Sequence, residues 1–279
     1  MPEGDPTMTK LADLHTHSLA SDGQYRPAEL VRLAKRRGLE VMALTDHDTI
    51  SGLEEARRAG EAEGLQVLSG VELSAREHRN LHILGYGFPA VAPPLEALCT
   101  KLREGRDERK HRIIDFLAER GVFLTLEEVE ALSGGEVIAR PHFARAMVNR
   151  GYVATTREAF VRHLDTKEFQ RIERFKADVR TCVEAIKASG GKASLAHPYQ
   201  TKLDDPALEN LVKELAGYGL DAIECFYPRH TPEQTAFYLR LAKKYGLHIT
   251  GGSDFHGEKV KPDIELTPLE LELDWIQQM

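Results

Sequence analysis

Cysteine is scarce. The chain has three in 279 residues, Cys99, Cys182 and Cys225. An odd number of widely spaced thiols builds neither a disulfide framework nor a thiolate metal site, and it suits a reducing compartment. Long apolar runs are missing too: none approaches the roughly 18 residues that cross a bilayer. The opening MPEGDPTMTK has no basic stretch followed by an apolar one, so no signal peptide is expected. It reads as a short unstructured lead on a cytoplasmic protein without membrane partners. Positive charge is in deficit as well. A net charge of −7 argues against a broad nucleic-acid-binding face, and double-stranded DNA is not an expected partner. The deficit is uneven. Residues 95–180 hold 17 Lys+Arg and 15 Asp+Glu, which leaves −9 for the remainder.

Most of the chain alternates between short apolar runs and amphipathic segments. The runs fall at residues 11–14, 41–44, 67–68, 81–85, 193–196, 222–226 and 248–250. Helices are expected over 27–37, 52–63, 183–189, 206–216 and 232–245. Ser51 with Glu54 and Thr231 with Gln234 have capping-box spacing, and Gly38, Gly64, Gly190, Gly219 and Gly246 stand where left-handed caps are wanted. This alternation predicts a parallel α/β fold of seven strands. It breaks over 95–180, which reads as helices only: 95–120, one opening at Thr125, 141–150 and 157–163. The expected organisation is a barrel of residues 1–94 and 181–279 with a helical insertion domain, 95–180.

Histidines and carboxylates cluster where the strands end. His15 and His17, two apart at the end of the first strand, project to one side. Asp22 follows in the next loop. His47 ends the second strand and Glu72 the third; His82 lies in the fourth and His197 ends the fifth. His230 follows the sixth, and Asp254 and His256 follow the seventh. Singly, each has a bland reading, since a lone strand histidine is usually packed or hydrogen-bonded. Jointly they are not accidental, because strand ends of a parallel barrel converge on one mouth. So many nitrogen and oxygen donors exceed one ion's needs and predict two or three divalent metals, with Mn²⁺ favoured and Zn²⁺ or Fe²⁺ also suited to the donor set. Asp13, Asp46 and Asp48 are candidates for orienting the imidazoles. His78, His111, His163 and His248 are assigned no part.

Asp13-Leu-His15-Thr-His17, Ser21-Asp22-Gly23, Thr45-Asp46-His47-Asp48, Gly70-Val-Glu72, Ala196-His197-Pro198 and Gly252-Ser-Asp254-Phe-His256-Gly together resemble, in order, the motifs of the PHP family, named for polymerases and histidinol phosphatases. The resemblance implies a distorted (β/α)₇ barrel, which agrees with the seven runs. Arg140-Pro141-His142 and Tyr227-Pro-Arg-His230 make the chain similar to the small members with a helical insertion. These are 5′→3′ exoribonucleases of the RNase AM type and 3′,5′-nucleotide bisphosphate phosphatases. By that resemblance one metal takes His15, His17, Glu72 and Asp254. A second takes Asp22, His47 and His256, and a third His82 and His197 with Glu72 bridging. The expected activity is hydrolysis of phosphate esters of a nucleotide or of a short 5′-phosphorylated RNA. Arg140 is the candidate for a substrate phosphate. His142 and His230 are candidates for hydrogen-bonding phosphate or protonating the leaving oxygen. The alternatives are a small non-nucleotide phosphate such as histidinol phosphate, C–N bond hydrolysis in a similar barrel site, and an inactive metal-stabilised interaction module.

Overall fold

The structure, a computed structural model, describes residues 9–78, 80–133 and 138–276. The expected lead lies outside them except for Thr9 and Lys10, which are already strand. The strands are β1 (Thr9–Thr16), β2 (Val41–Leu44), β3 (Gln66–Ser74), β4 (His82–Tyr86), β5 (Lys192–Leu195), β6 (Ala222–Phe226), β7 (His248–Gly251) and β8 (Leu269–Glu272). The α-helices are α1 (Pro27–Arg36), α2 (Leu53–Glu63), α3 (Pro93–Ala118), α4 (Leu126–Glu130), α5 (Arg140–Asn149), α6 (Thr156–Ala159), α7 (Lys167–Gln170), α8 (Val179–Ala188), α9 (Asp205–Gly217) and α10 (Pro232–Tyr245). All seven predicted runs are strands. β8, a short edge strand, is an addition.

The strands form one sheet in the order β7-β6-β5-β4-β3-β2-β1-β8. It curls until a bridge between Thr16 and Phe255 joins the ends of β1 and the segment after β7, giving a nearly closed barrel wrapped by helices. The pairing corrects the all-parallel expectation. β4 is antiparallel to both β3 and β5, and β8 is antiparallel to β1. The reversal of β4 matters for the site. Because β4 runs backwards, its first residue, His82, stands at the same mouth as the last residues of its neighbours.

Local chemistry sets the helix ends. Thr231 forms the expected capping box, and Thr125, where a helix was expected to open, forms another with Glu128; each satisfies amides that the first turn leaves without partners. Ser51 does not. α2 opens at Leu53 with Gly52 at its cap, and Ser51 instead meets the Thr49 hydroxyl through its own. All five glycines expected past helix ends have positive φ.

The stretch without strands is helical as expected, with two differences. Residues 160–164 form a π-helical turn that continues α6, and α7 was not foreseen. Ile113, Phe116, Leu117, Val129, Phe143, Met147, Leu164 and Phe169 make a hydrophobic core drawn only from this stretch. The first half of α3, through Leu95, Leu98, Cys99 and Leu102, packs instead into the barrel's largest core. α3 therefore links the two cores, and the expected boundaries fall inside α3 and α8. Among the described residues, no helix is long and apolar enough to cross a membrane.

Candidate metal centre

The strand ends bring all nine predicted ligands together. Donor atoms of His15, His17, Glu72 and Asp254 lie within 4.8 Å of one another, as do those of His17, Asp22, His47 and His256, and those of His47, Glu72 and His82. His197 joins through its Nε2, 2.9 Å from Glu72 Oε1. Glu72 sits at the middle. Its Oε1 also lies 2.6 Å from His82 Nδ1, and its Oε2 lies 3.2 Å from His17 Nε2, 3.4 Å from His15 Nε2 and 2.9 Å from His47 Nδ1.

Several of these buried atoms have no hydrogen-bond partner: His15 Nε2, both nitrogens of His17, His47 Nδ1, His197 Nδ1 and Glu72 Oε2. His47 Nδ1 and Glu72 Oε2 are close but not aligned for a hydrogen bond. Buried polar groups are ordinarily satisfied, and leaving one unpaired costs about 1–3 kcal/mol. Convergent lone pairs with nothing to accept fit divalent cations. The donor set is imidazole and carboxylate only, since the three cysteines are buried elsewhere.

The electrostatics express the same crowding. Burial opposes the charge of Glu72, yet the imidazoles of His47, His82 and His15 hold its carboxyl well below the usual range. Burial likewise opposes protonation of His15, but Glu224, Glu72 and Asp254 raise it. Burial wins at His82 and His256, whose imidazoles fall to about 4. The backbone carries strain here as well. Asp48, His197 and Asp254 all have positive φ, a costly state for such residues that concentrates at functional sites. A side chain on Gly252 would put its Cβ 2.5 Å from the His15 amide nitrogen, and one on Gly23 would meet the His17 carbonyl oxygen at 2.3 Å. Glycine at these motif positions lets the loops close onto β1.

The three aspartates do not orient imidazoles by hydrogen bonding. Asp13 accepts from the amides of His15, Ser253 and Thr267. Asp46 accepts from the Ser18 amide and the Ser18 and Ser21 hydroxyls. Asp48 binds Arg106 and the Ser74 amide. The orienting carboxylate is Glu224, missed in the sequence. Wholly buried in β6, it contacts His15 Nδ1 at 3.0 Å and accepts the His197 amide at 2.6 Å. Its one sequence signal is a charged residue amid the apolar Ala222–Phe226 run. Tyr227 donates to Asp254 Oδ2, which also pairs with Lys261.

The remaining candidates take distinct positions. Arg140 lines the cavity above the cluster, but its guanidinium pairs with Asp165 at 2.7 Å. His142 is buried, with its imidazole lowered to about 4 by desolvation. Its Nδ1 accepts the Ala139 amide, so the neutral ring carries its proton on Nε2. His230 is the reverse. Its Nδ1 faces the Cys225 carbonyl at 3.0 Å and must donate, so Nε2 is a buried lone pair without a partner. Tyr199, Tyr227 and Tyr238 surround that ring. The cavity holds about 680 Å³. It touches Asp22, His47 and His82 at its floor and is walled by Arg76, Arg106, Arg109, Lys110, Arg174 and Lys176.

A barrel that gathers imidazoles and carboxylates under a cation-walled cavity defines the class: a metal-dependent phosphoesterase. The chain belongs to the PHP domain family, whose match covers residues 13–191. It is 37% identical over 250 residues to a 5′-3′ exoribonuclease of Haemophilus influenzae, covering 89% of this chain and 91% of that protein. It is 33% identical to a 3′,5′-nucleoside bisphosphate phosphatase of Chromobacterium violaceum, covering 88% and 86%. It is 36% identical to a phosphoribosyl 1,2-cyclic phosphate 1,2-diphosphodiesterase of Eggerthella lenta, covering 89% and 95%. Among solved structures, one from Bifidobacterium adolescentis, assigned as a metal-dependent phosphoesterase, superposes with a TM-score of 0.83 at 30% identity over 94% of this chain and 93% of that one.

Proposed function

We propose that this chain hydrolyses phosphate esters of nucleotides, as a 5′→3′ exoribonuclease on short 5′-phosphorylated RNA, a 3′-phosphatase of nucleoside 3′,5′-bisphosphates, or both. The observation that carries the reading is the set of partnerless buried nitrogens clustered around Glu72, beside a cavity that Asp22, His47 and His82 reach and that cations wall. One ligand atom set accepts metal, and the wall accepts phosphate.

His15, His17, Asp22, His47, Glu72, His82, His197, Asp254 and His256 hold two to three divalent ions in this reading, with Mn²⁺ the expected metal and Glu72 shared. Bound ions of this kind lower the pKa of water and offset charge on the transferring phosphoryl group. The protein's own groups do the rest. Glu224 and Tyr227 keep His15 and Asp254 in place. His142, neutral at physiological pH, donates a hydrogen bond from Nε2 to a phosphate oxygen. His230 presents an acceptor at Nε2, so it takes a proton before it can deliver one to a leaving oxygen. Arg140 closes the outer rim. Residues 95–180 act as an insertion domain that roofs the mouth, in a protein of the cytoplasm.

The choice of the 5′ end rests on the exoribonuclease relative; charge favours a terminus over an internal site. The acidic remainder of the chain repels a long polyanion laid across it, because such binding depends on many Lys/Arg–phosphate contacts. A strand's terminus alone reaches the mouth. The test is a single-stranded 5′-phosphorylated RNA labelled at its 3′ end and digested with Mn²⁺. Progressive shortening of the labelled strand is expected. Immediate release of a labelled mononucleotide means attack from the 3′ end and contradicts the reading, as do internal cuts in a circular RNA.

A further inference from the structure

The helical stretch joins the barrel at two crossings. The outgoing one is α3, which leaves the barrel core at Leu102 and enters the helical core at Ile113. The returning one leaves the helical core at Ile172 and enters the barrel core at Ala177. Arg106 stands in the outgoing gap and Arg174 in the returning one. The crossings touch, since a side chain on Gly105 would put its Cβ 2.8 Å from that of Phe175. The return is also stitched to the end of β3: Ala177 bridges Ala75, and its carbonyl accepts the Arg76 amide at 2.9 Å. Both arginines end on one carboxylate, that of Asp48 in the loop after β2. Its Oδ2 accepts from Arg106 Nε at 2.8 Å and lies 3.3 Å from Arg174 Nη2, while its Oδ1 accepts the Ser74 amide at 2.9 Å. Asp48 is fully buried and both guanidinium groups are largely so. Removing one side of such a buried pair strands the charge of the other.

Asp48 adjoins His47 in the chain, and its own amide donates to the Glu72 carbonyl at 2.9 Å. It is therefore tied through the backbone to two candidate ligands. Its φ of 54° is left-handed, a state that an aspartate keeps only where its surroundings fix it. Here the surroundings are the two arginines and Ser74. We infer that the Arg106–Asp48–Arg174 clamp is a positioning device that transmits the seating of the helical stretch to His47, and through His47 to the ions His47 would hold. His47 belongs to two of the three donor groups and is absent from the group of His15, His17, Glu72 and Asp254. The clamp therefore acts on part of the metal centre. By reciprocity, ions that favour the seated His47 also favour the seated helical stretch. The inference rests on the reading of the cluster as a metal centre and needs no substrate.

The test is a calorimetric titration of the chelator-stripped full chain with Mn²⁺, in wild type, Asp48→Asn, Arg174→Gln and Arg174→Lys. In Asp48→Asn and Arg174→Gln one equivalent should bind as in wild type. The remaining ions should bind about tenfold or more weakly, the scale of loss for groups that orient a ligand. Arg174→Gln removes one arm only and carries the test if Asp48→Asn does not fold. Arg174→Lys keeps a cation for Asp48 and should recover part of the loss. Equal affinities in all four proteins, or an equal weakening of every ion, overturn the coupling and leave the metal centre standing. A wild type that takes up no Mn²⁺ removes the metal centre and the coupling together. Hydrogen exchange of the α5 amides reads the reverse direction without any activity. Mn²⁺ should slow that exchange in wild type and slow it less in Asp48→Asn and Arg174→Gln; the same slowing in all three overturns the clamp's part.

Discussion

Glu224 shows how a single side chain conditions the centre without facing the cavity. Its two oxygens fix His15 through the ring and His197 through the backbone. Such carboxylate–imidazole partners ordinarily change metal affinity 10–100-fold when lost. Glu224→Gln should therefore weaken Mn²⁺ binding by a factor in that range, read by competition with a chelator. Glu72→Gln should cost more, because Glu72 approaches five imidazoles. Equal affinity in Glu224→Gln and wild type would remove the orienting role. A second expectation follows from Lys176, which is faced by Arg174, Arg106, Arg109 and Asp48. Its cation is present below about pH 8 and lost above it, so KM for a bisphosphonucleoside should rise as pH passes 8. Lys176→Arg, always charged, should move that rise upward; an unmoved profile would show that Lys176 does not hold phosphate. The clustered candidate ligands were legible because His-x-His, Ser-Asp-Gly and Gly-Ser-Asp keep donor and loop chemistry together in a few residues. Glu224, Arg106 and Arg174 were not, because each acts through a partner distant in sequence.

At the scale of elements, the runs of apolar residues located every strand of the barrel proper but not their directions. A strand's hydrogen-bonding direction is decided by its partner. One local clue was available: the link between β3 and β4, residues 75–81, is too short for a parallel crossover, which needs a dozen or more residues. β8 escaped notice because Leu269–Glu272 alternates apolar and charged residues over only four positions, as a short edge strand does. The junction of β1 with the loop after β7 depends on close backbone approach at Gly252. Gly252→Ala should destabilise the fold by about 1–3 kcal/mol, measured by urea unfolding of the metal-free protein, and should also displace His15. As a control remote from the barrel mouth, Thr125→Ala removes a cap and should cost about 1 kcal/mol. A Gly252→Ala protein as stable as wild type would mean that the loop has room the structure does not show.

For the whole molecule, charge and architecture act together. The barrel gathers the candidate metal ligands at one mouth, and the helical stretch and the segment after it supply Arg106, Arg109, Lys110, Arg140, Arg174 and Lys176 above it. That division was visible in the sequence only as a net +2 for residues 95–180 against −9 elsewhere; how the cations are grouped required the fold. The central claim is that the clustered imidazoles and carboxylates serve a multi-ion phosphoesterase. Its most direct test is one titration. The protein is stripped with chelator and returned to Mn²⁺ in steps, and phosphate release from a nucleoside 3′,5′-bisphosphate is followed at each step. The expected result is no release from the stripped protein and a rate that saturates at two to three equivalents. Release from the stripped protein, or saturation at a single equivalent, would contradict it.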